Sequence, residues 1–372
     1  MNGFRIISPD SSHWAGWVDA ALGRHATRRQ IGLDFHQRLL AAGRMPLLCW
    51  HHVEELLCID DAEWARRRID FIQGLPHIAF IRFPQDTQSL GSIVDILSAE
   101  AAATLEGSND LETIRDSARR VMLHFGTGED GLGQFTWVWE VVRQDCLRKR
   151  ERAKLIAATR SMKLFDDQRT VGEIARGSIR NLEKQMVRKR HMRGEILDHI
   201  QTRGDREISD PASMTAAFMS PVESFEIPPQ MEVRDLLVAA LTEQGLDADE
   251  VRDDSVMADL NELALFRSRM KIVADNLGRP FEDLKALDMK ILPSWRIQKA
   301  LQRHGQDRQR SAGSDVVDGD LAALAPYVDE LFVDKRTLED FRRVRAQPDS
   351  IVDLIGGVRK AARFEQVAKA ID

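Results

Sequence analysis

The chain has 372 residues, 43% of them hydrophobic, and a formal net charge of −6, which predicts two or three domains, or one domain with a large insertion, and ample material for a core. No apolar run approaches the roughly 18 residues that span a membrane, and the opening MNGFRIISPDSSHW has no signal-peptide pattern. Three cysteines, Cys49, Cys58 and Cys146, form no framework of pairs, so a reducing, cytoplasmic compartment is expected.

Residues 4–8, FRIIS, predict a short buried strand with Asp10 just beyond it, and 14–42 follow a helical pattern. MPLLCW at 45–50 predicts a second strand, followed by the helix-compatible HHVEELL. A helix fits 61–74, and HIAFIRF at 77–83 predicts a third strand. This alternation implies parallel strands with helical crossovers. From 88 to 305 the chain is rich in Ala, Leu, Arg, Glu and Lys, with Gly- or Pro-rich breaks at 126–134, 209–214 and 220–230. An all-α insertion is expected there, divided near 205–232. The alternation then returns: a helix at 315–325, a strand at 328–333 closed by Asp334, and helices at 337–346 and 355–370. The expected architecture is one discontinuous α/β domain, built from 1–87 and 306–372, carrying the insertion 88–305.

Ligands of parallel α/β sheets bind outside the carboxyl ends of the strands. The pattern places Asp10 after the first strand, and Glu54 and Glu55 in the first turns of the helix after the second. Asp334 follows the last strand, and Asp315 and Asp318 open the helix leading to it. Crowded carboxylates stay ionised only around a cation, and oxygen ligands without Cys or His favour Mg²⁺ or Mn²⁺. Such an ion holds a phosphate oxygen and activates water, the chemistry of in-line phosphodiester hydrolysis. Each acid also has a structural reading. Asp10 fits a helix cap, Glu54 and Glu55 partners of a helix dipole, and Asp315 an N-cap with Asp318 at N3. Asp334 fits an ion-pair partner of Lys335 and Arg336. Asp320, about 200° around the helix from Asp318, reads as solvated, and Asp329 as a turn residue. CWHHVEELLC offers Cys49, His51, His52 and Cys58, a spacing that matches no standard zinc pattern.

The order Asp, Glu, Asp, Asp on strand and helix ends resembles the PIN-domain family of metal-dependent nucleases. The matching residues are Asp10 in ISPDSSHW, Glu54 or Glu55 in CWHHVEELL, Asp315 or Asp318 in GSDVVDGDLAAL, and Asp334 in FVDKRT. The resemblance covers the two ends of the chain, under half of it. It implies a Mg²⁺- or Mn²⁺-dependent endonuclease with RNA favoured over DNA, its ions held by Asp10, Glu55, Asp315, Asp318 and Asp334. Ser12 and His13 lie close to Asp10 and to any substrate there.

The segment 143–206 holds 18 Lys and Arg against 9 Asp and Glu, although the whole chain is acidic. Its clusters at Arg148, Lys149 and Arg150 and at Arg188, Lys189 and Arg190, together with Lys335 and Arg336, are expected contacts for a polyanion. The same residues also fit charged helix faces paired at helical spacing. The second functional class is a catalytically inactive regulator that binds nucleic acid or protein on the same scaffold. Either class leaves a place for an inhibitor or partner protein and leaves the oligomeric state open.

Overall fold

The computed structural model describes residues 3–82, 90–159, 162, 166–176, 182–224, 231–306, 310, 312–347 and 351–369. In chain order the first elements are β1 (Arg5–Pro9), α1 (Ser11–Leu22), α2 (Ala26–Ala41), β2 (Arg44–Leu48), α3 (Trp50–Leu57), α4 (Ala62–Gln73) and β3 (Ile78–Ile81). Next come α5 (Ile93–Leu105), α6 (Leu111–Met122), β4 (Leu123–Gly126), α7 (Gly128–Leu132) and α8 (Thr136–Thr159). The helices α9 (Val171–Ala175), α10 (Leu182–Arg203), α11 (Pro211–Ser224), α12 (Val233–Glu243), α13 (Met257–Leu277) and α14 (Phe281–Lys285) follow. The chain closes with α15 (Pro293–His304), α16 (Ser314–Ala322), β5 (Glu330–Val333), α17 (Lys335–Arg345), β6 (Gly357–Lys360) and α18 (Phe364–Lys369).

The six strands form one sheet in the order β4-β3-β2-β1-β5-β6. Every pairing is parallel except β3–β4, which is antiparallel. β1 lies between β2 and β5, with Ile7 beside both Pro46 and Glu330. The apolar run IAFI and the strand ELFV are buried throughout, as strands covered on both faces must be. Helix packing supplies that cover. Trp14 and Trp17 of α1 stack at 4.9 Å and are almost wholly buried. The indole Nε1 of Trp17 donates to the Gly32 carbonyl at 2.8 Å, and a Cβ at Gly32 would lie 2.4 Å from the Ala21 backbone nitrogen. Glycine is therefore what allows α1 and α2 to approach so closely.

α1 and α3 begin alike. In each, the third helical residue is a histidine whose Nδ1 accepts the N–H of the residue before the helix, His13 from Asp10 and His52 from Cys49, both at 3.1 Å. At the opposite, amino edge of the strands, Arg44 of β2 pairs with Glu330 of β5 at 3.0 Å, and Arg359 of β6 reaches the same carboxylate at 3.0 Å. This bridge spans β1 and fixes its two neighbours in register.

The chain divides into two compact units, one of Met1–Arg150, Leu287–Asp307 and Val317–Asp372, the other of Glu151–Ala286 and Arg308–Val316. The α/β class expected from both chain ends is present. The insertion expected at 88–305 is larger than the second unit, because α5 to α7, most of α8 and α15 belong with the sheet. β4 lies inside that expected all-α segment and pairs with β3. The helix expected over 355–370 is instead the edge strand β6 followed by α18. The helical pattern of 14–42 is two helices, broken at Gly23. In the second unit, part of the expected break near 205–232 is helix α11, opened by Asp210, whose carboxylate accepts the Ser213 N–H at 2.9 Å, with Pro211 at the first helical position. Positions 225–230 of that break lie outside the described residues. The second unit has its own apolar clusters, one around Val251, Met257 and Leu260 and another around Ile196, Ile200 and Met219. Among the described residues, no helix is long and apolar enough to cross a membrane.

Candidate acidic site

Asp10 stands between β1 and α1. Its N–H donates to the Phe332 carbonyl at 3.1 Å, tying the carboxyl end of β1 to β5. Ser12 Oγ donates to its carboxylate at 3.1 Å. His13 accepts the Asp10 N–H at Nδ1, so its proton is on Nε2, which donates to the Ala361 carbonyl at 3.0 Å. Burial raises the Asp10 pKa. His13 and the hydrogen bonds from Ser12 and Ser11 oppose that rise, and the charge of Asp334 adds to it.

Asp334 repeats the arrangement one strand away. It closes β5 and caps α17, its Oδ1 accepting the Thr337 N–H at 2.7 Å. A small pocket of about 10 Å³ opens on this edge, lined by Ser8, Asp10, Asp318 and Thr337 and by apolar side chains of α16 and β5. That space suits one water or ion rather than an organic molecule. The Ser8 hydroxyl is buried and has no hydrogen-bond partner among the described residues.

Glu54 and Glu55 separate cleanly. The Glu54 carboxylate accepts from Trp50 Nε1 at 3.1 Å and lies 3.6 Å from Lys149 Nζ and 3.8 Å from His51 Nδ1. It is neutralised within α3 and α8. Glu55 lies on the side of α3 facing α1. Burial raises its pKa to about 7, the Ser11 hydroxyl lowers it, and the charges of Asp10 and Glu54 raise it further. Asp10 thus senses the charge of Asp334, Glu55 senses that of Asp10, and Asp318 shares a pocket with Asp10.

The other expected residues fall elsewhere. Asp315 belongs to the second unit and lies within the first turn of α16, not at the N-cap its sequence suggests, and its carboxylate accepts the Ala312 N–H at 2.9 Å. Asp320 is not simply solvated: it accepts from Gln298 Nε2 at 3.0 Å, and it adds a little to the rise that burial imposes on the Cys49 thiol, to about 12. Asp329 is more than a turn residue, since it accepts the Ile6 N–H at 2.6 Å and faces Arg119 at 3.5 Å, latching β1 to the start of β5. Cys49 and His52 are core residues of the β2–α3 junction, and burial lowers the His52 pKa to about 3.

The basic clusters are partly committed to the protein itself. Arg148 pairs with Asp145, and Lys149 lies over the Trp50 ring at 5.3 Å while facing Glu54. Arg150 Nη1 donates to the Cys58 carbonyl at 2.6 Å. On α10, Lys189 donates to the Glu223 carbonyl at 3.3 Å, and Arg188 and Arg190 are exposed. Lys335 and Arg336 are exposed on the first turn of α17, beside Asp334.

Among the described residues, no three Asp, Glu, His or Cys side chains are arranged to hold a metal ion. The donors at this edge are nevertheless oxygen atoms suited to a hard cation. Mg²⁺ commonly uses one or two carboxylates, waters and a substrate phosphate rather than a full protein cage. The sequence missed Ser8 and Thr337. Both signals lay beside acids already singled out: Ser8 precedes Asp10 by two positions, and Thr337 is the third residue of a helix capped by Asp334. No known protein family, no curated protein and no solved structure matches this chain.

Proposed function

We propose that the protein is a metal-dependent endonuclease of PIN-like character that hydrolyses phosphodiester bonds, RNA favoured over DNA, with Mg²⁺ or Mn²⁺ as its ion. The observation that carries this reading is the pairing of Asp10 and Asp334 on adjacent parallel strands, close enough for one charge to raise the pKa of the other. Their order with Glu55 and Asp318 along strand and helix ends also supports it. A bound ion supplies an activated water and neutralises charge on the phosphate. Asp10 and Asp334 would hold that ion, with Asp318 on the small pocket it shares with Asp10, and Glu55, with its pKa near 7, would hold or release a proton at the same edge. Lys335 and Arg336 draw the phosphate in. Cations on a first helical turn oppose the helix dipole, so helix stability does not account for them. A cytoplasmic location fits the three free cysteines.

The test is cleavage of mixed RNA in Mn²⁺ by the wild type and by Asp10→Asn and Asp334→Asn. Cleavage lost in both variants supports the enzyme, whereas identical behaviour of all three sinks it. A second reading, a binding protein on the same scaffold, is favoured by the lack of three converging ligands among the described residues. It predicts RNA binding without cleavage in the same assay.

A further inference from the structure

Four arginines of the described chain are buried: Arg44, Arg68, Arg143 and Arg267. Three of them grip a carboxylate. Arg44 holds Glu330, Arg68 holds Asp19 through two hydrogen bonds of 2.8 and 2.7 Å, and Arg267 holds Glu250. Arg143 differs. Its Nη2 donates to the Ile59 and Asp60 carbonyls beyond the end of α3, the latter at 2.9 Å. Its Nε is buried without a partner, and it has no ion pair with a carboxylate among the described residues. A guanidinium carries five N–H donors, and a charge held out of water calls for an opposite charge.

Arg143 also lines a pocket of about 280 Å³ between α4 and α8, close to the size of small-ligand sites. The buried side chains Leu57, Ala65 and Trp139 give it an apolar lining, and Arg66 and Gln144 add donors at its exposed rim. Glu63 and Glu140 also line it, but both are exposed, so Arg143 is the one buried charge there.

We propose that this pocket binds a small organic anion, with a phosphate or carboxylate group on Arg143 and an apolar or aromatic body against Leu57, Ala65 and Trp139. The site belongs to the α3–α4–α8 side of the unit, distinct in its residues from the acidic edge, and it stands whether or not the protein is a nuclease.

The experiment is calorimetric titration of the full chain with inorganic phosphate, adenosine monophosphate, citrate and uncharged adenosine. Binding by at least one anion, with none by adenosine, is expected, and which anion binds separates the phosphate from the carboxylate source. Arg143→Met should weaken the binding at least tenfold. Because that variant also loses two carbonyl contacts, Arg66→Glu at the exposed rim serves as the second arm and should weaken the binding severalfold with the fold intact. Asp10→Asn should bind as the wild type does. No binding by any anion, unchanged affinity in both arginine variants, or loss in Asp10→Asn would overturn the proposal.

Discussion

Asp10 and Asp334 occupy equivalent positions on neighbouring parallel strands, each closing its strand and opening the next helix, and the charge of Asp334 raises the pKa of Asp10. Replacing Asp334 by Asn removes that charge but keeps an oxygen to accept the Thr337 N–H. Asn caps helices about as well as Asp. The expected outcome is an Asp10 pKa that falls toward the ordinary carboxylate range, still held up by burial, with little change in melting temperature. Carboxyl-carbon NMR titration of Asp10 in the two proteins checks this. An unchanged Asp10 curve would show that the two acids do not share a site.

Glu55 makes stability depend on pH in a defined direction. Its folded pKa of about 7 exceeds the ordinary 4.5, so the folded chain holds a proton that the unfolded chain has lost. Stability from this group is complete below about pH 4.5, declines as pH rises, and is lost above about 7. The difference amounts to at most ~3 kcal/mol. Glu55→Gln should therefore melt higher than wild type at pH 8 and similarly at pH 4.5. Mn²⁺ should raise the wild-type melting temperature more at pH 8 than at pH 5, because a cation favours the ionised form. Urea midpoints across this range decide it, and a variant that keeps the full wild-type slope would contradict the assignment.

The sheet that carries these acids was readable because its strands are apolar runs bounded by acids and helical patterns, as at RIISP and ELFV. β4 and β6 were not readable for a physical reason. Each has four residues at a sheet edge and is only partly buried, and GVRK has no apolar run, with Arg359 and Lys360 both exposed. Asp10 and Asp334 were legible as residues that end strands. The choice between Glu54 and Glu55 was barely so, because a tertiary contact makes it: Lys149, far along the chain, neutralises Glu54 and leaves Glu55 with Asp10. Arg150 likewise reads as a phosphate contact from its basic neighbours, whereas its Nη1 donates to the Cys58 carbonyl.

That distinction gives a prediction for the basic residues. Lys335 and Arg336 are exposed at the acidic edge, so changing both to Gln should leave the melting temperature unchanged and weaken RNA binding. The slope of log affinity against log salt should shrink by about 1.4, near 0.7 for each contact to a single strand. Arg150→Gln should do the reverse, lowering stability by ~1 kcal/mol through the lost Cys58 carbonyl bond while changing the salt slope little. Fluorescence anisotropy over a range of NaCl concentrations measures both. Equal slopes for the wild type and the Lys335/Arg336 variant would remove these two residues from the interface.

Glu100 is the most deeply committed acid of the α/β unit. It is fully buried on α5, and its carboxylate accepts the Tyr327 hydroxyl, the Ser294 N–H at 2.8 Å and the Ser294 hydroxyl at 2.9 Å. It thereby joins α5 to the start of α15 and to the approach to β5. Burial raises its pKa to about 7 in spite of these three donors, and burial together with the Glu100 charge keeps Tyr327 protonated. The sign is that of Glu55: stability from this group is full below about pH 4.5 and lost by about 7. Glu100→Gln keeps an acceptor for Tyr327 and the Ser294 N–H, and its amide can donate to the Ser294 hydroxyl. It should remove part of the pH dependence and match or exceed wild-type stability at pH 8. Glu100→Ala leaves three buried donors without an acceptor and a cavity besides, so it should cost about 3 kcal/mol or more at every pH. Urea unfolding of the two variants at pH 5 and 8 separates these effects. Equal destabilisation by Gln and Ala would mean that the cluster is held by its charge and not by its hydrogen bonds.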